Sequence, residues 1–123
     1  MVRQEEIIRK YFSAWINNDV NTVRTVLSDH IIYIECYGPK YSGINQVVAW
    51  FLDWHQCGAV RKWDIKQFLH QKNTTVVEWY FECSYNGSVD GFDGVSLVEF
   101  DDNGKIISIK EFQSKTEHYY PYG

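Results

Sequence analysis

The sequence lacks a long apolar run, and no segment approaches the roughly 20 apolar residues that a membrane-spanning helix needs. It also lacks a cluster of lysine and arginine residues. Its 12 basic residues are outnumbered by 16 acidic ones, which gives a formal net charge of −4. Nucleic-acid binding requires a basic stripe or patch, so we expect no nucleic acid among the partners. Because a membrane-spanning segment is also missing, we expect no membrane among them either.

Cysteine is scarce, and the motifs of several large enzyme classes are absent. The three cysteines, Cys36, Cys57 and Cys83, are odd in number and have no CxxC spacing. The N-terminus has no signal-peptide layout, so we expect reduced thiols in a cytoplasmic protein. The four histidines have no metal-ligand spacing, and no GxSxG, Walker or GxGxxG motif occurs. We therefore expect neither a metal nor another cofactor.

Aromatic residues, by contrast, are abundant. Five Trp, nine Tyr and seven Phe make up 17% of the 123 residues. A chain of this length suits one domain over residues 1–123. So many large rings can either build a thick core or line a cavity that the core encloses.

The first half of the chain has mainly helical periodicity. Apolar residues from Ile7 to Trp15 recur on one helix face. Asp19 is a suitable N-cap for a second, short helix that extends through Leu27. A strand over residues 31–36 and a loop over residues 37–43 follow. A third helix begins near residue 44, and Gly58 is placed to end it.

The second half alternates with a period of two. Four strands are predicted over residues 63–70, 74–85, 89–101 and 105–115. Asn86-Gly87 and Asn103-Gly104 are predicted hairpin turns between them. Runs of helix followed by runs of strand indicate an α+β domain, with the helices packed on one face of a curved, mostly antiparallel sheet.

This order of elements resembles the nuclear transport factor 2-like superfamily, and within it the SnoaL-like and ketosteroid isomerase-like branches. Three segments carry the resemblance. Residues 11–19 are similar to the family's first helix and the polar residues that end it. Residues 28–38 contain an acidic strand end before a Gly/Pro loop, and residues 94–106 are similar to the family's last hairpin. The resemblance implies a cone-shaped α+β barrel with three N-terminal helices. The superfamily is functionally mixed, so fold alone does not give the activity.

The resemblance to ketosteroid isomerases also implies a proton-transfer site. Tyr11 and Glu35 are 24 residues apart, an interval similar to that between the oxyanion-binding tyrosine and the general base of those enzymes. Enolisation needs a carboxylate near the C–H group and a donor near the carbonyl oxygen, so Glu35 is the implied base and Tyr11 the donor. Ser96 stands where isomerases carry a second, acidic donor, and Asp93 would need a strand bulge to face the site. A solvated Glu35 and a core Tyr11 are the alternative.

The last predicted strand carries a further carboxylate. Ile107, Ile109, Glu111 and Gln113 share one face, which the resemblance places toward the interior of the cone. A buried carboxylate must be paired, hydrogen-bonded or protonated. For Glu111 we therefore expect an ion pair with a lysine or arginine across the strands, and an acid–base pair with Glu35 is the alternative.

Aromatic side chains supply the other candidates for ligand binding. Trp50 and Trp54 lie one turn apart on the third helix, and His55 continues its apolar face. Four more rings lie on predicted apolar faces, namely Trp15, Trp63, Trp79 and Phe81. As a set these residues suit a small hydrophobic or polycyclic ligand, and ordinary core packing is the alternative for each.

The function expected from these features is the enclosure of a small hydrophobic ligand. If the protein is an enzyme, we expect cofactor-independent proton transfer of the isomerase or cyclase type. The alternative is a non-catalytic ligand-binding or dimerisation domain of the same fold. The aromatic tail with Tyr119, Tyr120 and Tyr122 is expected to fold over the pocket mouth or to pack against a second subunit, in keeping with the homodimer that the resemblance implies. A disordered tail is the alternative.

Overall fold

A computed structural model gives the structure of residues 2–123 as three helices and six strands. The helices are α1 (Val2–Ile16), α2 (Val20–Val26) and α3 (Ile44–Cys57). The strands are β1 (Leu27–Ile34), β2 (Lys40–Ser42), β3 (Gly58–Gln71), β4 (Thr74–Tyr85), β5 (Ser88–Phe100) and β6 (Ile106–Ser114). None of the helices in residues 2–123 has the length and apolarity that a membrane crossing requires.

The six strands form one mixed sheet in the order β2-β1-β6-β5-β4-β3. β1 and β6 are parallel, and the other neighbouring strands are antiparallel. The α+β architecture that the sequence predicts is confirmed. The sheet is open, with β2 and β3 as its edges, so the expected barrel is not closed.

Local hydrogen bonds and turns account for several element ends. Asp19 caps α2, because its carboxylate accepts hydrogen bonds from the backbone N–H of Thr22 at 3.1 Å and from the Thr22 hydroxyl at 2.6 Å. α3 ends directly before Gly58, as predicted. Asn86 and Gly87 both have positive φ, 49° and 83°, which a type I′ hairpin turn requires.

Several boundaries differ from the sequence prediction, and β1 ends at Ile34 instead of Cys36. Leu27 begins β1 instead of ending α2, residues 40–42 form β2 within the predicted loop, and β3 begins at Gly58 instead of near residue 63. Each of these segments takes its conformation from pairing with a neighbouring strand, which local periodicity does not report. Two bulges in β3, near residues 61 and 66, also break its alternation.

The core lies between the sheet and the helices. Ile8 and Tyr11 of α1, Val47 and Phe51 of α3 and Trp79 of β4 are among its fully buried side chains. α1 packs against β3 and α3 against β1. Large rings collect where these layers meet, and this is where the site lies.

The C-terminal tail does not cover the molecule. Tyr119, Tyr120 and Tyr122 are 83%, 90% and 101% exposed. The expectation that these rings fold over the pocket mouth is therefore wrong for the single chain. Packing against a second subunit stays a prediction.

Candidate functional site

A cavity of about 60 Å³ lies between α1, α3 and the sheet, at the end of β1 where the chain leaves Ile34. Nine aromatic side chains, two carboxylates and two cysteines line it. Eight of the residues singled out in the sequence are among them: Trp15, Glu35, Trp50, Trp54, Trp63, Trp79, Phe81 and Glu111. The fold thus brings both expected carboxylates and all five tryptophans to one place.

The parallel pairing of β1 with β6 explains why the two carboxylates meet. Ile34 of β1 is the Cα partner of Lys110 of β6, so Glu35 and Glu111 both follow the same rung. Neither carboxylate forms a salt bridge with a basic side chain within residues 2–123. The expected ion pair with lysine or arginine is therefore contradicted.

The carboxylate of Glu111 accepts a hydrogen bond from Tyr33, behind which Tyr11 and Trp15 are buried. The Tyr33 hydroxyl donates to Glu111 Oε2 at 2.6 Å, and the Tyr33 ring lies against the Tyr11 ring at a centroid distance of 6.1 Å. The indole N–H of Trp15 in turn donates to the Tyr11 oxygen at 2.8 Å. The carboxylate of Glu111 is thus hydrogen-bonded to a tyrosine that packs against a second, fully buried tyrosine.

The pKa values of these groups are perturbed by their surroundings. Burial raises the pKa of Glu111 to about 7; the Tyr33 hydrogen bond opposes this rise, and the nearby charge of Glu35 adds to it. Burial also raises the pKa of Tyr11 and Tyr33 well above the ordinary value, with the charge of Glu111 adding to the effect. Both tyrosines are therefore neutral donors at neutral pH, whereas Glu111 exists in both protonation states.

Glu35 lies in a more open environment than Glu111. It is half-buried, and its Oε2 accepts a hydrogen bond from the Tyr41 hydroxyl at 3.1 Å. Burial raises the pKa of Glu35, and the hydrogen bond from Tyr41 opposes this rise. The two carboxylates thus have different surroundings, which is the arrangement that separates acid and base roles.

Four of the expected site residues do not line the cavity. Tyr11 is 1% exposed and lies behind Tyr33. Ser96 is paired with Glu111 across β5 and β6, but its Oγ accepts a hydrogen bond from the Trp79 indole at 2.9 Å. Their hydroxyls are used inside the protein, so neither is placed to donate directly to a ligand.

His55 and Gln113 are the other two residues outside the cavity. Both ring nitrogens of His55 lie within hydrogen-bond distance of backbone carbonyl oxygens, at 2.8 Å for Phe51 and 2.9 Å for Trp15. Gln113 lies beyond the last β1–β6 rung and is exposed, with its amide 3.5 Å from the Cys36 carbonyl oxygen. Asp93 also lies outside the cavity and forms a salt bridge with Lys66 at 3.1 Å.

Sequence reasoning missed Tyr33, the residue that touches Glu111. Tyr33 lies two residues before Glu35 on β1, so the period of a strand places both on one face, and this signal could have found it. The other missed lining residues are Cys36, Tyr37, Cys83 and Phe92. They come from a loop and two long strands that have no distinctive motif.

The cysteines do not offer a nucleophile. Burial, together with the charges of Glu111 and Glu35, raises the pKa of Cys36 to about 12. Burial also raises the pKa of Cys83. Since the thiolate is the reactive form, both thiols are unreactive at neutral pH. The chemical capacity of the cavity rests on its carboxylates and on the Tyr33 hydroxyl.

Comparison with known proteins places the chain in a family. Residues 8–109 match the SnoaL-like domain. The chain belongs to the SnoaL-like domain family. Among proteins with curated descriptions, none matches this SnoaL-like domain.

Solved structures share the fold at low sequence identity. A protein with a ketosteroid isomerase-like fold from Catenulispora acidiphila, in complex with trimethylamine, is 16% identical, with a TM-score of 0.79 over 90% of this chain and 86% of that one. An LEH-like epoxide hydrolase from M. tuberculosis is 15% identical, with a TM-score of 0.83 over 92% and 84%. A proposed polyketide cyclase from Xanthomonas campestris is 14% identical, with a TM-score of 0.75 over 91% and 90%. These likenesses establish the fold of the SnoaL-like domain and not its chemistry.

Proposed function

We propose that this SnoaL-like domain holds a small molecule in the aromatic cavity and transfers a proton on an enolisable carbonyl compound. The observation that carries the proposal is the pair of carboxylates, Glu35 and Glu111, which share one aromatic-lined cavity without a basic partner. Proton transfer at neutral pH needs groups whose pKa lies near 7, and Glu111 meets this requirement.

In the proposed reaction the two carboxylates have separate roles. The Glu35 carboxylate removes the proton from the carbon next to the carbonyl, while protonated Glu111 donates its proton to the carbonyl oxygen. The enol then returns the O–H proton to Glu111 and takes the Glu35 proton at a different carbon, which completes an isomerisation without a co-reactant. Tyr33 has a different role from the one expected of Tyr11: its hydroxyl donates to Glu111 and holds this carboxyl group in position.

The size of the cavity favours a ligand with few atoms. Drug-sized ligands occupy pockets of about 300 Å³ or more, whereas this cavity measures about 60 Å³. A polycyclic ligand would therefore require several rings to move, and we propose small ketones as the substrates to test first. The relative described as a proposed polyketide cyclase supports carbonyl chemistry on this fold.

The test follows proton transfer directly. Small β,γ-unsaturated ketones are incubated with the protein, and both the conjugated enone and the deuterium exchange at the α-carbon from D₂O are recorded. We expect Glu35→Gln to reduce the rate by about 10²- to 10⁴-fold, the usual contribution of a general base. Glu99→Gln, the same change at an exposed position, is the control and should retain the wild-type rate.

A non-catalytic ligand-binding domain is the outcome that would replace this proposal. Wild-type protein would then bind small ketones in a thermal-shift measurement but exchange no α-proton above the buffer rate. Glu35→Gln would leave both observations unchanged. An active wild type together with an inactive Glu35→Gln variant that still binds the ketone is the result that we expect.

We also propose that the outer face of the sheet forms a homodimer. An apolar patch crosses β3 to β6, where Leu69 pairs with Val76, Val76 with Leu97, and Val95 with Phe112. Leu69, Leu97 and Phe112 are 59%, 37% and 44% exposed, and contiguous exposed apolar surface marks interaction sites. Light scattering should give a dimer mass for the wild type and a monomer mass for Leu97→Lys; a monomeric wild type would refute the dimer.

The three cysteines are unpaired in residues 2–123. Free thiols of this kind fit the reducing cytoplasm, which we propose as the location.

A further inference from the structure

The composition of the cavity wall points to a charge on the ligand. All five tryptophans of the chain line the cavity, with two carboxylates among them. Lys, Arg and His are absent from the lining contributed by residues 2–123. An aromatic face carries partial negative charge, so it attracts cations. The wall therefore offers negative potential from its rings as well as from Glu35 and Glu111.

The arrangement of the rings forms a box and not a slot. Trp15 is inclined by 55° to Trp50 and by 75° to Trp54, and Trp63 is inclined by 88° to Trp79. A flat ligand would need two parallel walls, and these pairs provide none. The paired rings touch one another, with centroids 4.8, 5.5 and 5.7 Å apart, and a wall of mutually inclined rings suits a rounded ligand better than a flat one.

Stacked partners hold two of the tryptophans in place. Tyr41 covers one face of Trp50 at a centroid distance of 4.5 Å and an angle of 13°. Phe12 covers one face of Trp63 at 3.8 Å and 7°. The opposite faces and the edges of these indoles are what remains to line the cavity. The box is thus preorganised, which reduces the entropy lost on binding.

The volume sets the size of the ligand group. About 15 Å³ of such space is needed for one water-sized group, so about 60 Å³ has room for roughly four non-hydrogen atoms. A nitrogen with three methyl groups has this size. It presents methyl groups to the rings on all sides and spreads its charge over them, which matches an aromatic box with carboxylates better than a hydrated metal ion does.

We infer that the cavity binds a small methylated ammonium group, as the whole ligand or as the part of the substrate that fills the box. The inference rests on the proposed function in one respect, namely that this cavity is the ligand site. The rings of Trp15, Trp50, Trp54, Trp63 and Trp79 contact the methyl groups, and the carboxylate of Glu35 or Glu111 balances the charge.

The experiment compares a cation with a neutral molecule of the same shape. Tetramethylammonium and tert-butanol each have five non-hydrogen atoms and one sharp methyl NMR signal. Their dissociation constants are measured by ligand-observed NMR at pH 8 and matched ionic strength. We expect tetramethylammonium to bind at least tenfold more tightly. Equal affinities, or no binding of either probe, would overturn the inference.

Variants test the role of the rings. Trp50→Leu should weaken tetramethylammonium binding by about 5- to 30-fold, the usual range for a lost cation–π contact, and should affect tert-butanol much less. Trp50→Phe keeps a ring and should give an intermediate value if the leucine variant folds poorly. Phe68→Leu, a change at a ring that contacts Arg9 of α1 and does not line the cavity, is the control. An unchanged affinity in both Trp50 variants would contradict the aromatic box.

The pH dependence tests the carboxylates. Glu111 is surrounded by Tyr33 from β1, by Glu35 and Cys36 after β1, by Tyr41 from β2 and by Tyr11 from α1, and none of these neighbours is basic. Because the cation favours ionised Glu111, whose pKa is about 7, affinity should fall by up to about tenfold from pH 8 to pH 6. A pH-independent affinity would remove Glu111 from the cation site.

The outcomes separate this inference from the proposed reaction. Cation binding without any α-proton exchange would support the ligand class and refute the proton transfer. Exchange on small neutral ketones without any tetramethylammonium binding would support the proton transfer and refute the ligand class.

Discussion

Replacing Glu111 by glutamine should stabilise the protein at neutral and alkaline pH. Glutamine has nearly the same shape, and its amide oxygen can still accept the hydrogen bond that the Tyr33 hydroxyl donates at 2.6 Å. The substitution therefore removes the charge of a buried group without removing its main contact. Because glutamine does not ionise, its contribution to the free energy of unfolding does not change with pH.

The size of the effect follows from the two pKa values of Glu111. In the folded protein the pKa is raised to about 7, against an ordinary value of 4.5. A difference of about 2.5 units corresponds to about 3 kcal/mol. Well below pH 4.5 the carboxyl group is protonated in both the folded and the unfolded protein, so it does not lower the free energy of unfolding there. As the pH rises from 4.5 to 7, the unfolded chain loses its proton first, so the wild type loses stability over this window.

Urea denaturation at several pH values measures this difference. Tryptophan fluorescence is a suitable probe because all five tryptophans line the cavity. We expect the stability of Glu111→Gln minus that of the wild type to grow by about 2.5 kcal/mol from pH 5 to pH 8. Glu99→Gln is the control, since Glu99 is exposed on the outer face of the sheet.

A stability difference that stays constant from pH 5 to pH 8 would refute the reasoning. Glu111 would then be as well solvated in the folded protein as in the unfolded chain. The proposed acid–base pair would lose its protonated member at neutral pH.

Three further substitutions have expected outcomes. Tyr33→Phe removes the hydrogen bond that lowers the pKa of Glu111, so NMR titration should show this pKa above its wild-type value; a fall would contradict the assignment. Asp19→Ala removes the α2 cap and should cost about 1 kcal/mol in urea denaturation, whereas no loss would show that the cap is not needed. Gly94→Ala would place a methyl group against the indole of Trp79 and the backbone carbonyl of Phe112 and should cost about 2–3 kcal/mol; a neutral effect would mean that both the indole and the β6 backbone can shift.

Much of the fold could be predicted from the sequence because its signals are local. The cap at Asp19, the stop before Gly58 and the Asn86-Gly87 turn each depend on the chemistry of a few neighbouring residues. The short strand β2 could not be predicted, because three residues carry no periodicity and their conformation comes from pairing with β1. Sheet closure was also beyond local signals, since it depends on how the edge strands β2 and β3 lie in space.

The candidate site was predictable to the extent that strand parity governs it. The period of two placed Glu111 on one face with Ile109, the family resemblance placed that face toward the interior, and the structure has Glu111 there beside Glu35. The same parity placed Gln113 inside, but β1 ends before that residue and leaves it uncovered. Parity gives the direction of a side chain; the length of the neighbouring strand decides whether anything covers it.

The roles of the tyrosines show what a family pattern cannot supply. A tyrosine on the first helix implied a donor facing the ligand, yet Tyr33 on β1 stands between Tyr11 and Glu111. The Tyr11 hydroxyl accepts the indole N–H of Trp15 and lies outside the cavity, so it is not placed to donate to a substrate. Glu111 also lies beyond residue 109, where the family match ends. The chemistry proposed for this domain therefore depends on the side chains of β1 and β6 themselves, and Glu35, Tyr33 and Glu111 are the residues on which its tests should concentrate.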